Sequence, residues 1–134
     1  MKKEFALILF CFLTATPFRA AEAQAQNTVL TAKDAAKPVA ASVRQSFTVR
    51  LAANPSTGYL WQIAPETAQN EDVSVYEELF EHSKSRRLGA GGTAVFSVRV
   101  KKAGKINVVL RYFRPWEHFD ASKDKSITFT FDVK

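Results

Sequence analysis

Apolar and polar residues alternate with a period of two over most of the chain beyond residue 45. In "SFTVRLA" the side chains of Phe47, Val49 and Leu51 share one face, and in "YLWQI" those of Tyr59, Trp61 and Ile63 do. In "TAVFSVRV", Ala94, Phe96, Val98 and Val100 oppose Thr93, Ser97 and Arg99, with Val95 interrupting the polar series. In "KINVVLRYF", Ile106, Val108, Leu110 and Tyr112 align; in "SITFTFDV", Ile127, Phe129, Phe131 and Val133 oppose Ser126, Thr128, Thr130 and Asp132. Strict alternation of this kind marks half-buried strands. "DVSVYEELFEHS" is less regular: Val73 and Val75 read as strand and "YEELFEH" is compatible with a helical turn, and a strand is expected. "NTVLT" is a candidate edge strand, followed by "TAKDAAKP" as an irregular stretch.

Six or seven short strands with turn signals between them and no convincing helix predict an all-β, immunoglobulin-like sandwich of about seven strands. The expected division is an irregular lead-in over 24–38 and the sandwich over 39–134. Trp61, on the third strand, is expected to fill the core as a bulky tryptophan does in immunoglobulin-like domains. The pair of core cysteines usual there is missing.

Strand order has a consequence for the connections. A chain that reverses at each one alternates ends, so "AANPSTG", "KSRRLGAGG" and "RPWEHFDASKDK" should lie together at one end of the sandwich. "APETAQNED" and "KKAGK" should lie at the other. Asn54-Pro55 and Gly58 taken alone are turn formers, Pro fixing φ and Gly permitting positive φ. Gly89, Gly91 and Gly92 taken alone loosen a hairpin, but glycine also lets a backbone approach another surface closely. Arg114-Pro115-Trp116 reads as a strand exit, yet Arg and Trp are the residues most enriched at binding hot spots. Three such loops at one tip favour a recognition surface on a rigid scaffold.

Composition narrows the possibilities. The 134 residues fit one domain, and eleven of the sixteen aromatics are Phe, enough large apolar side chains to fill a core. The first residues stand apart: "MKKE" is a basic n-region, "FALILFCFLTATPF" a short apolar run, and "AAEAQAQ" an A-x-A cleavage region. Residues 1–23 therefore read as a secretory signal peptide, too short in its apolar part for a membrane span, with cleavage after Ala23 or Ala25. The terse start fits bacterial export, to the periplasm or outside the cell, with no stable membrane association after cleavage. Cys11 is the only cysteine, so the processed chain has neither thiol nor disulfide, and a cysteine nucleophile, a thiolate metal site and a redox pair are excluded. The formal charge of +6 falls to +5 on removal of Lys2, Lys3, Arg19, Glu4 and Glu22. The one tight basic cluster is Lys84, Arg86 and Arg87, which serves solubility or attraction to an acidic partner. No nucleic-acid-binding signature is present.

Catalytic chemistry finds little footing. There is no G-x-S-x-G elbow, and His82 and His118, the only histidines, have no metal-ligand spacing. Ser56 and Thr57 lack an identifiable base. Glu117, His118, Asp120 and Asp124 crowd one loop, but polar residues in a long loop are usually solvated. No enzyme, metal or cofactor is expected.

"NPSTGYLW", "GAGGTAVF" and "YFRPWE", in that order, resemble the three signature loops of the chagasin family, inhibitors of papain-family (clan CA) cysteine proteases. The similarity spans about residues 45–133. It implies an immunoglobulin-like sandwich acting as a reversible, competitive, non-covalent inhibitor that occludes the cleft of a papain-like protease. By the resemblance, Asn54, Pro55, Ser56, Thr57 and Gly58 enter the catalytic cleft, Thr57 nearest the Cys–His pair. Gly89, Ala90, Gly91 and Gly92 lie along the substrate groove, their glycines allowing close backbone contact. Arg114, Pro115 and Trp116 flank the far side, Trp116 on an aromatic wall and Arg114 hydrogen-bonding across. The "SRRL" before the glycines is more basic than the motif demands. The alternative is a non-inhibitory exported binding or adhesion module using the same loops. A monomer is expected.

The processing expectation is directly measurable. Mass spectrometry of exported protein should find an N-terminus at Gln24 or Gln26; an intact Met1 would contradict it.

Overall fold

The computed structural model describes residues 27–85 and 87–134; the expected signal peptide and Arg86 lie outside the described residues. Among the described residues there are eight strands: β1 (Thr28–Thr31), β2 (Val39–Ala41), β3 (Ser46–Ala53), β4 (Leu60–Ile63), β5 (Val73–His82), β6 (Gly92–Val100), β7 (Gly104–Phe113) and β8 (Lys125–Val133). They form two four-stranded sheets, ordered β1-β3-β6-β5 and β2-β8-β7-β4. β1 runs parallel to β3 and β2 parallel to β8; all other pairs are antiparallel. The fold is an all-β, immunoglobulin-like sandwich.

The alternating faces meet in the middle. Phe47, Val49, Leu51, Phe96, Val98 and Val100 line one inner face, and Ile106, Val108, Leu110, Phe129, Phe131 and Val133 the other, all buried. Register matches pattern: Val49 lies opposite Phe96, and Val108 opposite Phe129. Burial of this continuous apolar layer drives the fold, at about 25 cal/mol per Å².

Three features depart from the sequence reading. The expected edge strand "NTVLT" is present as β1, but a second short strand, β2, is one the sequence pattern does not predict. β1 anchors through buried Leu30, a 3-10 helix at Ala32–Ala36 follows, and β2 joins the second sheet. Asp34 accepts hydrogen bonds from the Thr31 backbone N–H (2.7 Å) and hydroxyl (3.1 Å), so the stretch expected to be irregular makes a capped turn. Those bonds hold the Asp34 carboxyl below its usual range.

β5 is a strand throughout, as expected, but its register shifts between Glu77 and Leu79. Such a bulge changes which side chains face the core. Val75 before it and Phe80 after it both pack on the core, which is why the alternation in "DVSVYEELFEHS" looks broken.

Trp61 packs against the core without being enclosed in it. It is half-buried at the loop end, where its indole N–H donates to the carbonyl of Ala52 in the opposite sheet (3.0 Å). β4 is a four-residue edge strand and leaves that face partly open. The Phe side chains occupy the centre instead.

Between β4 and β5, Pro65–Ala68 form one turn of α-helix, α1, beginning on a proline suited to that place. Buried Thr67 accepts the Val109 N–H through its hydroxyl oxygen (2.8 Å). The β6–β7 turn lies at the same end, where the Lys101 N–H donates to the Asp72 carbonyl. The three remaining long connections fall at the opposite end, as strand parity requires.

Unequal stability losses are expected from the two kinds of large aromatic. Phe131→Ala should cost about 3–5 kcal/mol in urea unfolding, the range for a fully buried aromatic, and Trp61→Ala clearly less. Equal losses would place Trp61 in the core after all.

Candidate functional site

Pro55 sets the shape of the β3–β4 connection. Its fixed φ suits the first position of a helical turn, and Pro55–Thr57 form a single 3-10 turn. Asn54 caps that turn: its side-chain Oδ1 accepts the Ser56 N–H (3.2 Å) and hydroxyl (2.6 Å). The Thr57 hydroxyl donates back to the Asn54 carbonyl (2.7 Å). Gly58 closes the turn at φ +82°, a left-handed conformation that favours glycine. The loop is folded by its own side chains.

Asn54 also reaches across to the next connection. Its side-chain N–H donates to the Gly89 carbonyl (3.1 Å). Its backbone N–H donates to the Tyr112 hydroxyl (3.0 Å), at the far end of β7. Tyr112 is itself wedged between aromatic rings, with centroids 4.9 Å from Trp61 and 5.5 Å from Tyr59.

The β7–β8 connection closes the arrangement. The Arg114 Nε–H donates to the Thr57 carbonyl (3.2 Å), and its guanidinium lies 4.9 Å over the Tyr59 ring. Glu117 holds the same guanidinium at 3.6 Å. Trp116 is 73% exposed, yet its ring covers Gly58, where an added Cβ would stand 2.6 Å from a ring carbon.

The structure therefore brings all twelve sequence-expected site residues to one end: Asn54 to Gly58, Gly89 to Gly92, and Arg114 to Trp116. It also gives some of them contacts within the chain. The glycines, expected to allow close contact with another protein, have a steric role inside this one as well. A Cβ on Gly91 would lie 2.7 Å from the Ala53 carbonyl oxygen, and one on Gly92 would collide with the Glu81 carbonyl and the Phe80 ring. Gly89 holds φ +76°. The Arg114 side chain, expected to hydrogen-bond across, bonds the Thr57 carbonyl within the tip, and the Asn54 side chain is bound there too. Ser56, Thr57, Gly89, Pro115 and Trp116 are the exposed members.

Residues outside the expected set complete the tip. Tyr112 ties β7 to the first loop through its hydroxyl, Tyr59 carries the Arg114 guanidinium, and Leu88 is fully exposed beside Gly89. A tyrosine ending an otherwise apolar strand face is a usable signal, since its hydroxyl needs a partner when the ring is buried.

Charge around the tip is mostly internal. Arg50 and Glu81 form a two-pronged ion pair on the outer face of the first sheet, which holds the Glu81 carboxyl below its usual range and raises Arg50. Ser122, donating from both hydroxyl (2.6 Å) and N–H (2.9 Å), lowers Asp120. Buried Asp124 accepts the Asp120 N–H (2.8 Å), and Glu117 is shared by Arg114 and Lys123. The acidic residues crowded in this loop thus fold it. Among the described residues no three His, Cys, Asp or Glu side chains are grouped to hold a metal ion.

Three cross-bonded loops thus close one end of the β-sandwich. The chain belongs to the chagasin family of peptidase inhibitors (I42), which matches residues 40–133. Chagasin of Trypanosoma cruzi is 39% identical over 77 residues, covering 56% of this chain and 70% of chagasin. The fold is shared with the cysteine protease inhibitor EhICP2 of Entamoeba histolytica, at TM-score 0.61 and 24% identity over 80% of this chain and 95% of that one. PbICP-C, solved in complex with falcipain-2, shares it at TM-score 0.55 and 19% identity over 81% of this chain and 89% of that one.

The internal role of the glycines is separable from any contact with a partner. Gly91→Ala and Gly92→Ala should each lower unfolding stability of the isolated protein, by about 1–3 kcal/mol for overpacking of this kind. Unchanged stability in both would return the glycines to the partner's side.

Proposed function

We propose that this member of the family inhibits papain-family cysteine proteases reversibly, competitively and without covalent chemistry, by seating the three-loop tip in the active-site cleft. The observation that carries the reading is the cross-bonding of the tip: Asn54 ties the first loop to the second, and Arg114 ties it to the third. A tip fixed before encounter avoids the cost of ordering side chains on binding, about 0.5–1.5 kcal/mol for each one immobilised. Chagasin, 39% identical, and the two structural relatives named above, one a cysteine protease inhibitor and the other solved in complex with falcipain-2, support the same reading.

In this reading the 3-10 turn at Pro55–Thr57 is the leading edge, with Ser56 and Thr57 nearest the catalytic Cys–His pair. The Gly89–Gly92 backbone runs along the substrate groove, and exposed Leu88 adds an apolar contact. Pro115 and Trp116 pack on the opposite wall. Asn54, Tyr112 and Arg114 act from behind by holding that surface in shape. With Cys11 removed in processing, the mature chain has no thiol to form a mixed disulfide. The protein works as an exported monomer, in the periplasm or outside the cell.

Papain with a fluorogenic peptide tests this. Inhibition should be overcome by substrate, the inhibitor should emerge uncleaved, and denaturing electrophoresis should show no adduct. Trp116→Ala should weaken inhibition while leaving the melting temperature nearly unchanged. A stable covalent adduct, or full inhibition by a variant with bulky substitutions in all three loops, would contradict the mechanism. Inactivity against papain-family enzymes would leave a non-inhibitory binding module.

A further inference from the structure

Charge is unevenly spread along the chain. Between Glu81 and Glu117 there is no acidic residue, while nine lysines and arginines fall in the interval. At the tip this imbalance is confined to one loop. The β3–β4 connection is uncharged, since no charged residue lies between Arg50 and Glu66. In the β7–β8 connection and the start of β8, Arg114, Lys123 and Lys125 are balanced by Glu117, Asp120 and Asp124, and Glu117 directly bridges two of the cations.

The β5–β6 connection has no such balance. It contributes Lys84, Arg86 and Arg87 and no carboxylate. Lys84 and Arg87 are exposed, and neither takes part in an ion pair among the described residues. The carboxylate at the base of the loop, Glu81, is held by Arg50 on the outer face of the sheet. The loop backbone is anchored at Gly89 by Asn54 and at Gly91 by the Ser83 N–H (3.0 Å), so Lys84 and Arg87 leave the chain between anchored points at one edge of the tip. Three like charges within four sequence positions repel one another, and an opposite charge on a partner would relieve them.

We propose that the protease this tip fits carries acidic side chains on the groove wall that faces the β5–β6 loop, and that Lys84 and Arg87 steer the two proteins together and select that protease over relatives with a neutral wall. The inference rests on the inhibitor reading above. Charges at the rim of an interface act mainly on the association rate and its salt dependence, whereas buried contacts set dissociation. The uncharged leading turn and the balanced third loop fit the second task, and the β5–β6 loop fits the first.

The test is stopped-flow association with a papain-family protease that has Asp or Glu on that wall, and with its variant carrying Asn or Gln there. For the acidic wall the association rate constant should fall about tenfold or more from low to high salt, the lower end for steered encounters. Lys84→Ser/Arg87→Ser should abolish most of that slope and the preference for the acidic wall, with dissociation little changed. Lys101→Ser/Lys102→Ser, which removes the same charge at the opposite end, should keep both. Equal loss in the two double variants would overturn the proposal in favour of net charge, and so would equal association rates for the acidic and amide walls. Failure of the wild-type protein to inhibit any papain-family protease would instead overturn the inhibitor reading itself.

Discussion

The side chain of Asn54 makes the tip one object. It caps the turn that follows it, and it donates to the Gly89 carbonyl of the neighbouring loop. Its own N–H is taken by Tyr112 from the other sheet. Each bond alone is worth about 0.5–1.5 kcal/mol net. Their effect is geometric: they tie the first loop to the second and to β7, while Arg114 ties it to the third. The chain has no disulfide to impose that order, so polar side chains and close packing do so instead.

This bracing depends on the sandwich beneath. Ala53 lies opposite Gly92, and Leu60 opposite Phe113, so each loop leaves a paired strand end. Gly92 must lack a side chain because Glu81 and Phe80 occupy the space. Phe80 points there only because the bulge in β5 turns it inward. A local irregularity in an edge strand is thus coupled to the shape of the tip.

The fold was legible where burial has a period. Phe47, Val49, Leu51 and Val98 alternate because one face of each strand is buried, and that pattern needs no knowledge of neighbours. Loop parity followed from strand count, and it brought the three motifs to one end. What depends on a particular neighbour was not legible. β2 is three residues long, too short for its alternation to show as a period. The bulge in β5 looked like noise, and Trp61 looked like core because nothing in the sequence marks β4 as a short edge strand. At the site, the loops were visible but the direction of their side chains was not. Asn54 and Arg114 carry groups as suited to a partner as to the loops they in fact bind, and only the fold chooses between these.

The resulting division of labour is specific: inward-facing polar groups fix the surface, exposed Ser56, Thr57, Leu88 and Trp116 present it, and unpaired cations stand at one edge. The most direct measurement is a crystal structure of the mature protein bound to papain. The account requires residues 54–58, 88–92 and 115–116 to line the active-site cleft with the tip unchanged, Cα shifts staying under about 1 Å as in pre-organised complexes. Binding through another face, or loops displaced by more than about 2 Å from the free geometry, would contradict it.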